Sequence, residues 1–227
     1  MPSPELIESL AFVGLALAFE LAERVSPARR VSRRASLATD LAGWRAPLAS
    51  WPFAVKALLG LGVIDLAQYG LHRAMHASPV LWRAHAFHHT PDAVHWLSGF
   101  RTSAIHAALF ALPQTLVPYA LLGLSPYEAS AGYAIGALLQ LWTHANVRVG
   151  PPAVERALER VLVTPRYHRA HHSRRVEHQR RNLAMIFPLW DHLFGTWVDP
   201  EAAAGDALGI DEPRAGGVPA ARRWLGL

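Results

Sequence analysis

Between residues 102 and 147 the chain carries a single formal charge, Glu128, in an otherwise apolar or uncharged run. Gly123-Leu124-Ser125-Pro126 falls near its middle and supplies a turn. Each arm then has about the 20 residues that a helix needs to cross a hydrocarbon layer. The expectation is a helical hairpin. A hairpin returns to the side it left, so the residues before and after it share one side.

That geometry matters because histidines are concentrated on both flanks. His72 and His76 lie four apart, and His85, His88 and His89 follow. Beyond the apolar run, His168, His171 and His172 repeat the HxxHH spacing. On a helix, residues three and four apart share a face, so each group presents its imidazoles to one side. For a single pair, a surface helix face is the ordinary explanation. Three groups in one short chain point instead to metal, since neutral imidazole is a common ligand of iron, zinc, copper and nickel. Eight histidines could surround two metal ions.

Composition narrows the setting. A chain of 227 residues is expected to form one domain, here taken as 1–227. With no cysteine, disulfides, Fe–S clusters, thiolate zinc sites and a cysteine nucleophile are excluded. Apolar residues make up 52% and charged ones 17%, and the eight tryptophans suit a membrane interface. The net charge of +5 rests on arginine, Lys56 being the single lysine. A membrane surface is a better partner for such a chain than nucleic acid.

Residues 5–23 read as a first membrane helix, since they lack the basic start and cleavage site of a signal peptide. Arg24 to Arg34 then form a basic loop. Residues 46–71 are apolar but interrupted by Pro47, Pro52, Lys56 and Asp65, and they are expected not to cross fully. Arg148 to Arg181 hold nine arginines against Glu155, Glu159 and Glu177, which puts that side in the cytoplasm by the positive-inside rule. Residues 183–198 are expected to lie against the cap or the membrane interface. The tail 199–227, rich in Ala, Gly and Pro, is expected to be loosely ordered.

Histidines alone do not offset metal charge, so nearby carboxylates are of interest. Asp65 sits two helical turns before His72 and could orient its second ring nitrogen, or else pair with an arginine. Asp191 and Asn146 are further supporting candidates. A structural zinc site is a closed tetrahedron, which so many histidines exceed; an open, oxygen-reactive iron site suits them better. A membrane metal-binding protein and a zinc-dependent hydrolase are the competing readings.

The motifs resemble those of the fatty acid hydroxylase/sterol desaturase superfamily, integral-membrane di-iron enzymes rich in histidine. The matching runs are Asp65–His76, Leu81–His89, His144–Arg148, Thr164–Ser173 and Trp190–Thr196, in order over about residues 65–197. The resemblance implies an all-α fold, membrane helices under a cytosolic helical cap that holds two iron ions. It also implies O₂-dependent hydroxylation or desaturation of a membrane lipid, with electrons from a separate electron-transfer protein. The implied ligands are His72, His76, His85, His88, His89, His144, His168, His171 and His172. Gln140, one turn before His144, would contact a metal through water or pack within the hairpin. One departure stands out: where the family often has a His-Pro-x-Glu run, this chain has Ser103-Ala104-Ile105-His106. His95, His178 and His192 lie outside the motifs and are read as surface or cap residues.

Overall fold

A computed structural model describes residues 48–211, with residues 25 and 225 as isolated positions. The reading of 5–23 as a membrane helix, the basic loop and the end of the tail lie outside the described residues. Among the described residues the fold is all helical, with one isolated β-bridge, Ser173 to Leu208.

Helix α1, Phe53–Ala77, runs for 25 residues without a break, about 37 Å of helix. Lys56 and Asp65, which interrupt the apolar run in the sequence, both lie within this helix. Both are buried and partnered: Lys56 Nζ donates to the Ala49 carbonyl, and the Asp65 carboxylate accepts three hydrogen bonds. By length and composition α1 is long and apolar enough to cross a membrane. After Ser78, whose side chain caps the next helix, α2 spans Pro79–Ala86.

The long apolar run forms the two arms. Helix α3, Ala104–Leu116, holds Pro113 and passes into a π-helical turn, Val117–Leu121. The chain turns at Leu122–Ser125, where the glycine–proline signal places it. Helix α4, Pro126–His144, starts with a capping box in which Ser125 and Glu128 satisfy each other's backbone. The α3 helix with its π extension is the second segment apolar and long enough to span a membrane; α4 does not reach the same hydropathy. Leu58 on α1, Leu112 and Leu116 on α3, and Ile135 and Leu138 on α4 are all exposed. Apolar side chains on the outside of three long helices match a lipid surround.

The cap is built from short helices: α5, Pro152–Leu158; α6, Pro165–His171; α7, Val176–Gln179; and α8, Leu189–Leu193. Tyr69 of α1 packs with Val163, Tyr167, Leu183 and Ala184, so the cap's apolar core includes α1 itself. The described part of the tail, residues 199–211, is ordered. Pro200–Ala203 is a 3₁₀ turn, Arg174 N–H donates to Ala207, and Gly209 N–H donates to His172. Asp206 accepts from Ser173 Oγ and His178 Nδ1. These polar ties order residues 199–211 without any hydrophobic periodicity to announce them.

Candidate metal centre

Each motif reaches the centre from a different element. His72 and His76 lie on α1, His85 on α2, and His88 and His89 on a 3₁₀ turn, Phe87–His89. His144 ends α4, while His168 and His171 lie on α6 and His172 caps it. All nine are buried. They form two groups, each with its candidate ligand nitrogens within 4.8 Å of one another. The first comprises His72, His76, His85, His89 and His171; the second comprises His88, His144, His168 and His172.

The grouping divides each HxxHH motif. His85 and His89 face the first group while His88 turns to the second; His168 and His172 face the second while His171 turns to the first. Sequence spacing suggested one common face for each trio. At about 100° per residue, i+4 lies about 40° ahead of i and i+3 about 60° behind. The i,i+4 pair therefore converges on one position, and the i+3 ring is free to reach the other. The 3₁₀ turn at Phe87–His89 adds to this separation. Each long motif thus supplies both groups and holds them side by side.

Backbone carbonyls set the tautomer of four rings. His72 Nδ1 donates to Leu183 at 2.7 Å, His144 Nδ1 to Gln140 at 2.9 Å, His171 Nδ1 to Arg181 at 3.0 Å and His88 Nδ1 to Arg101 at 3.2 Å. A carbonyl can only accept, so these rings carry their proton on Nδ1 and turn a bare Nε2 inward. The inward nitrogens crowd: His85 Nε2 lies 3.0 Å from the Nε2 atoms of both His72 and His89, and His144 Nε2 lies 3.1 Å from His168 Nε2. Nε2 of His76 and of His171 are buried without a partner. Burial, aided by neighbouring histidines, holds His85, His88, His89, His168, His171 and His172 well below the ordinary histidine pKa. Buried, neutral and with converging lone pairs, this donor set fits two imidazole-binding cations.

The sequence candidates for support take up other positions. Asp65 does not touch His72. Its carboxylate accepts from the Ile186 and Phe187 N–H groups and from Trp190 Nε1, all within 2.9 Å. Asp191 accepts from the Leu183 and Ala184 N–H groups, Tyr167 Oη and Thr196 Oγ1. Burial raises the Asp191 carboxyl above its ordinary pKa, opposed by those hydrogen bonds. Two buried carboxylates therefore pin the 183–187 strand of chain, and that chain presents the Leu183 carbonyl to His72. Asn146 is exposed, and its Oδ1 accepts from Arg169 on the surface, away from the inward nitrogens. Gln140 acts on His144 through its backbone carbonyl. His95 and His192 are exposed, and His178 is buried in the cap against Asp206.

Sequence reading missed the carbonyls of Arg101, Arg181 and Leu183, for which no side-chain pattern exists. It also missed Trp82, whose ring lies 5.0 Å from His76 and 5.4 Å from His89. Gly99 is another omission. A Cβ there would sit 3.2 Å from the His144 ring, which would have to give by a few tenths of an ångström to admit it.

Two cavities meet the centre. One of about 230 Å³ lies between the hairpin arms, with His72, His85, His88 and His168 at one end. Phe110, Ala111 and Ala137 also line it, with Gln114 and Tyr133 among its polar groups. The other, about 310 Å³, reaches His76 past Trp82, Gln179 and Arg180.

Residues 57–196 match the family model described as fatty acid hydroxylase. The chain belongs to the fatty acid hydroxylase family. It is 34% identical over 165 residues to the ornithine lipid hydroxylase OlsE of Rhizobium tropici, covering 70% of this chain and 47% of that protein. It is 29% identical over 147 residues to human alkylglycerol monooxygenase (63% of this chain, 30% of that protein). A very-long-chain aldehyde decarbonylase of Oryza sativa subsp. indica is 25% identical over 150 residues, covering 63% of this chain and 23% of that protein. The chain thus spans less than half the length of these relatives. No solved structure matches. Family membership and the outward apolar helices together make this a membrane protein.

Proposed function

We propose that this chain is an O₂-dependent, di-iron lipid hydroxylase. The nine histidines would hold the metals, five at one position and four at the other. The observation that carries this reading is the opening of both histidine groups onto one cavity between apolar, outward-facing helices. Two bound irons would supply oxygen activation and hydrogen abstraction from an unactivated C–H bond, chemistry beyond any side chain. The chain's own part is to aim and to shield. Phe110, Ala111 and Ala137 give an acyl chain an apolar path, while Gln114 and Tyr133 offer hydrogen bonds to a polar portion of the lipid. Burial of all nine rings keeps bulk water from the reacting carbon.

The substrate class is a membrane lipid that enters between the hairpin arms. The printed names of the bacterial and human relatives, hydroxylase and monooxygenase, favour hydroxylation over desaturation. Electrons come from a separate electron-transfer protein, and the arginine-rich cap faces the cytoplasm. The described residues favour neither a zinc hydrolase nor a simple metal store. The test is expression of the chain in a host of known lipid content, with and without His171→Ala. A lipid gaining 16 mass units only with the intact chain supports the reading; an unchanged lipidome from iron-loaded protein with reductant present contradicts it.

A further inference from the structure

His85 is central to the first histidine group, and among the ligand candidates its outer edge is held differently. Nε2 faces inward, 3.0 Å from Nε2 of both His72 and His89. Nδ1 meets a side chain, His106 Nδ1 at 3.2 Å, where His72, His88, His144 and His171 meet backbone carbonyls. We infer that His106 is a positioning residue for His85, a neutral imidazole that accepts the Nδ1 proton and thereby bares Nε2 for metal. This rests on the reading of the histidine groups as metal ligands.

Proton counting requires the direction. Two imidazole nitrogens at this distance need one donor and one acceptor. A neutral His85 that gives Nε2 to a metal keeps its proton on Nδ1, so His106 Nδ1 must accept and its own proton sits on Nε2. His106 is held for this task. Ser103 Oγ accepts its backbone N–H at 3.1 Å and donates to the Ala84 carbonyl at 2.6 Å, joining the start of α3 to the residue before His85. Phe110 braces the ring, 4.5 Å between centroids. His106 is buried and also lines the hairpin cavity, so one ring joins a candidate ligand to the space where a lipid would lie. It does so without adding negative charge.

The test is Co²⁺ titration of the full chain in detergent after metal removal, read by visible absorption and by cobalt per folded chain. His106→Leu keeps bulk and removes the acceptor. His106→Asn places an amide oxygen near the lost Nδ1, whereas His106→Gln places its amide further out. Loss of an outer partner typically costs about 10–100-fold in metal affinity. The leucine variant is expected to lose that much at one of two sites, with an altered spectrum there, and asparagine to recover most of it. Leucine binding both ions with unchanged affinity and spectrum overturns the inference. Should the leucine variant not fold, asparagine against glutamine decides: asparagine tighter by tenfold or more upholds it, and equal affinities overturn it. An unmutated chain that binds fewer than two cobalt ions would overturn the ligand reading itself, a separate result.

Discussion

Asp65 and Leu183 share no hydrogen bond, yet Asp65, together with Asp191, holds the stretch of chain that carries the Leu183 carbonyl. The carboxylate on α1 fixes Ile186, Phe187 and Trp190, Asp191 fixes Leu183 and Ala184 just before them, and Leu183 O lies 2.7 Å from His72 Nδ1. Asp65 and His72 sit on the same helix, so α1 holds both ends of this loop of interactions.

Replacing Asp65 with alanine should therefore act on stability and metal together. One buried and two part-buried donors lose their acceptor, at up to about 1–3 kcal/mol each, so the loss should be about 3 kcal/mol. Metal affinity should fall by about 10–100-fold as His72 loses its fixed carbonyl. Thermal unfolding in detergent with and without metal checks this. Asp65→Asn, which retains one oxygen acceptor, should lie between.

His171→Ala and His178→Ala separate the centre from its surroundings, although the two residues lie close in sequence. The first should lower metal at the five-histidine group and abolish turnover. The second should leave metal content intact but loosen the tail, costing about 1–2 kcal/mol through the lost Asp206 hydrogen bond. Metal per folded chain and protease cleavage near residue 206 distinguish them.

Much of the centre was legible in sequence because i,i+4 spacing survives any choice of tertiary packing. Sharing between two groups was not, since the sequence does not say which neighbouring element the i+3 ring of each motif will meet. Asp65 illustrates a second limit. Its helical spacing to His72 suggested direct contact, but its partners lie 121 to 125 residues away. The tail shows a third: Asp206 orders it through polar contacts, which leave no periodic signature.

Acid should destabilise the metal-free chain. Burial holds the folded pKa values of His85, His88, His89, His168, His171 and His172 well below the ordinary histidine value of about 6.5, so below about pH 6.5 the unfolded chain binds more protons. Stability present above that pH is lost progressively as pH falls towards the folded values. Chemical denaturation between pH 8 and pH 5 should show this steep decline, with metal release following it. A flat profile would mean that the histidines are not buried and neutral.

The absence of cysteine makes topology directly testable. Val80→Cys and Glu177→Cys, both at exposed positions, should label from the cytoplasmic side of oriented membranes. Tyr127→Cys, exposed beside the hairpin turn, should label from the opposite side. Labelling of residues 80 and 177 from different sides would contradict convergence of the motifs.

Metal count decides most directly whether two histidine groups hold two ions. The chain should be produced with iron, purified in mild detergent and assayed for metal per folded molecule, beside His171→Ala and His172→Ala. Two ions are expected in the unmutated chain, with each variant losing metal from its own group. One ion or none in the unmutated chain, or two ions retained in both variants, would contradict it.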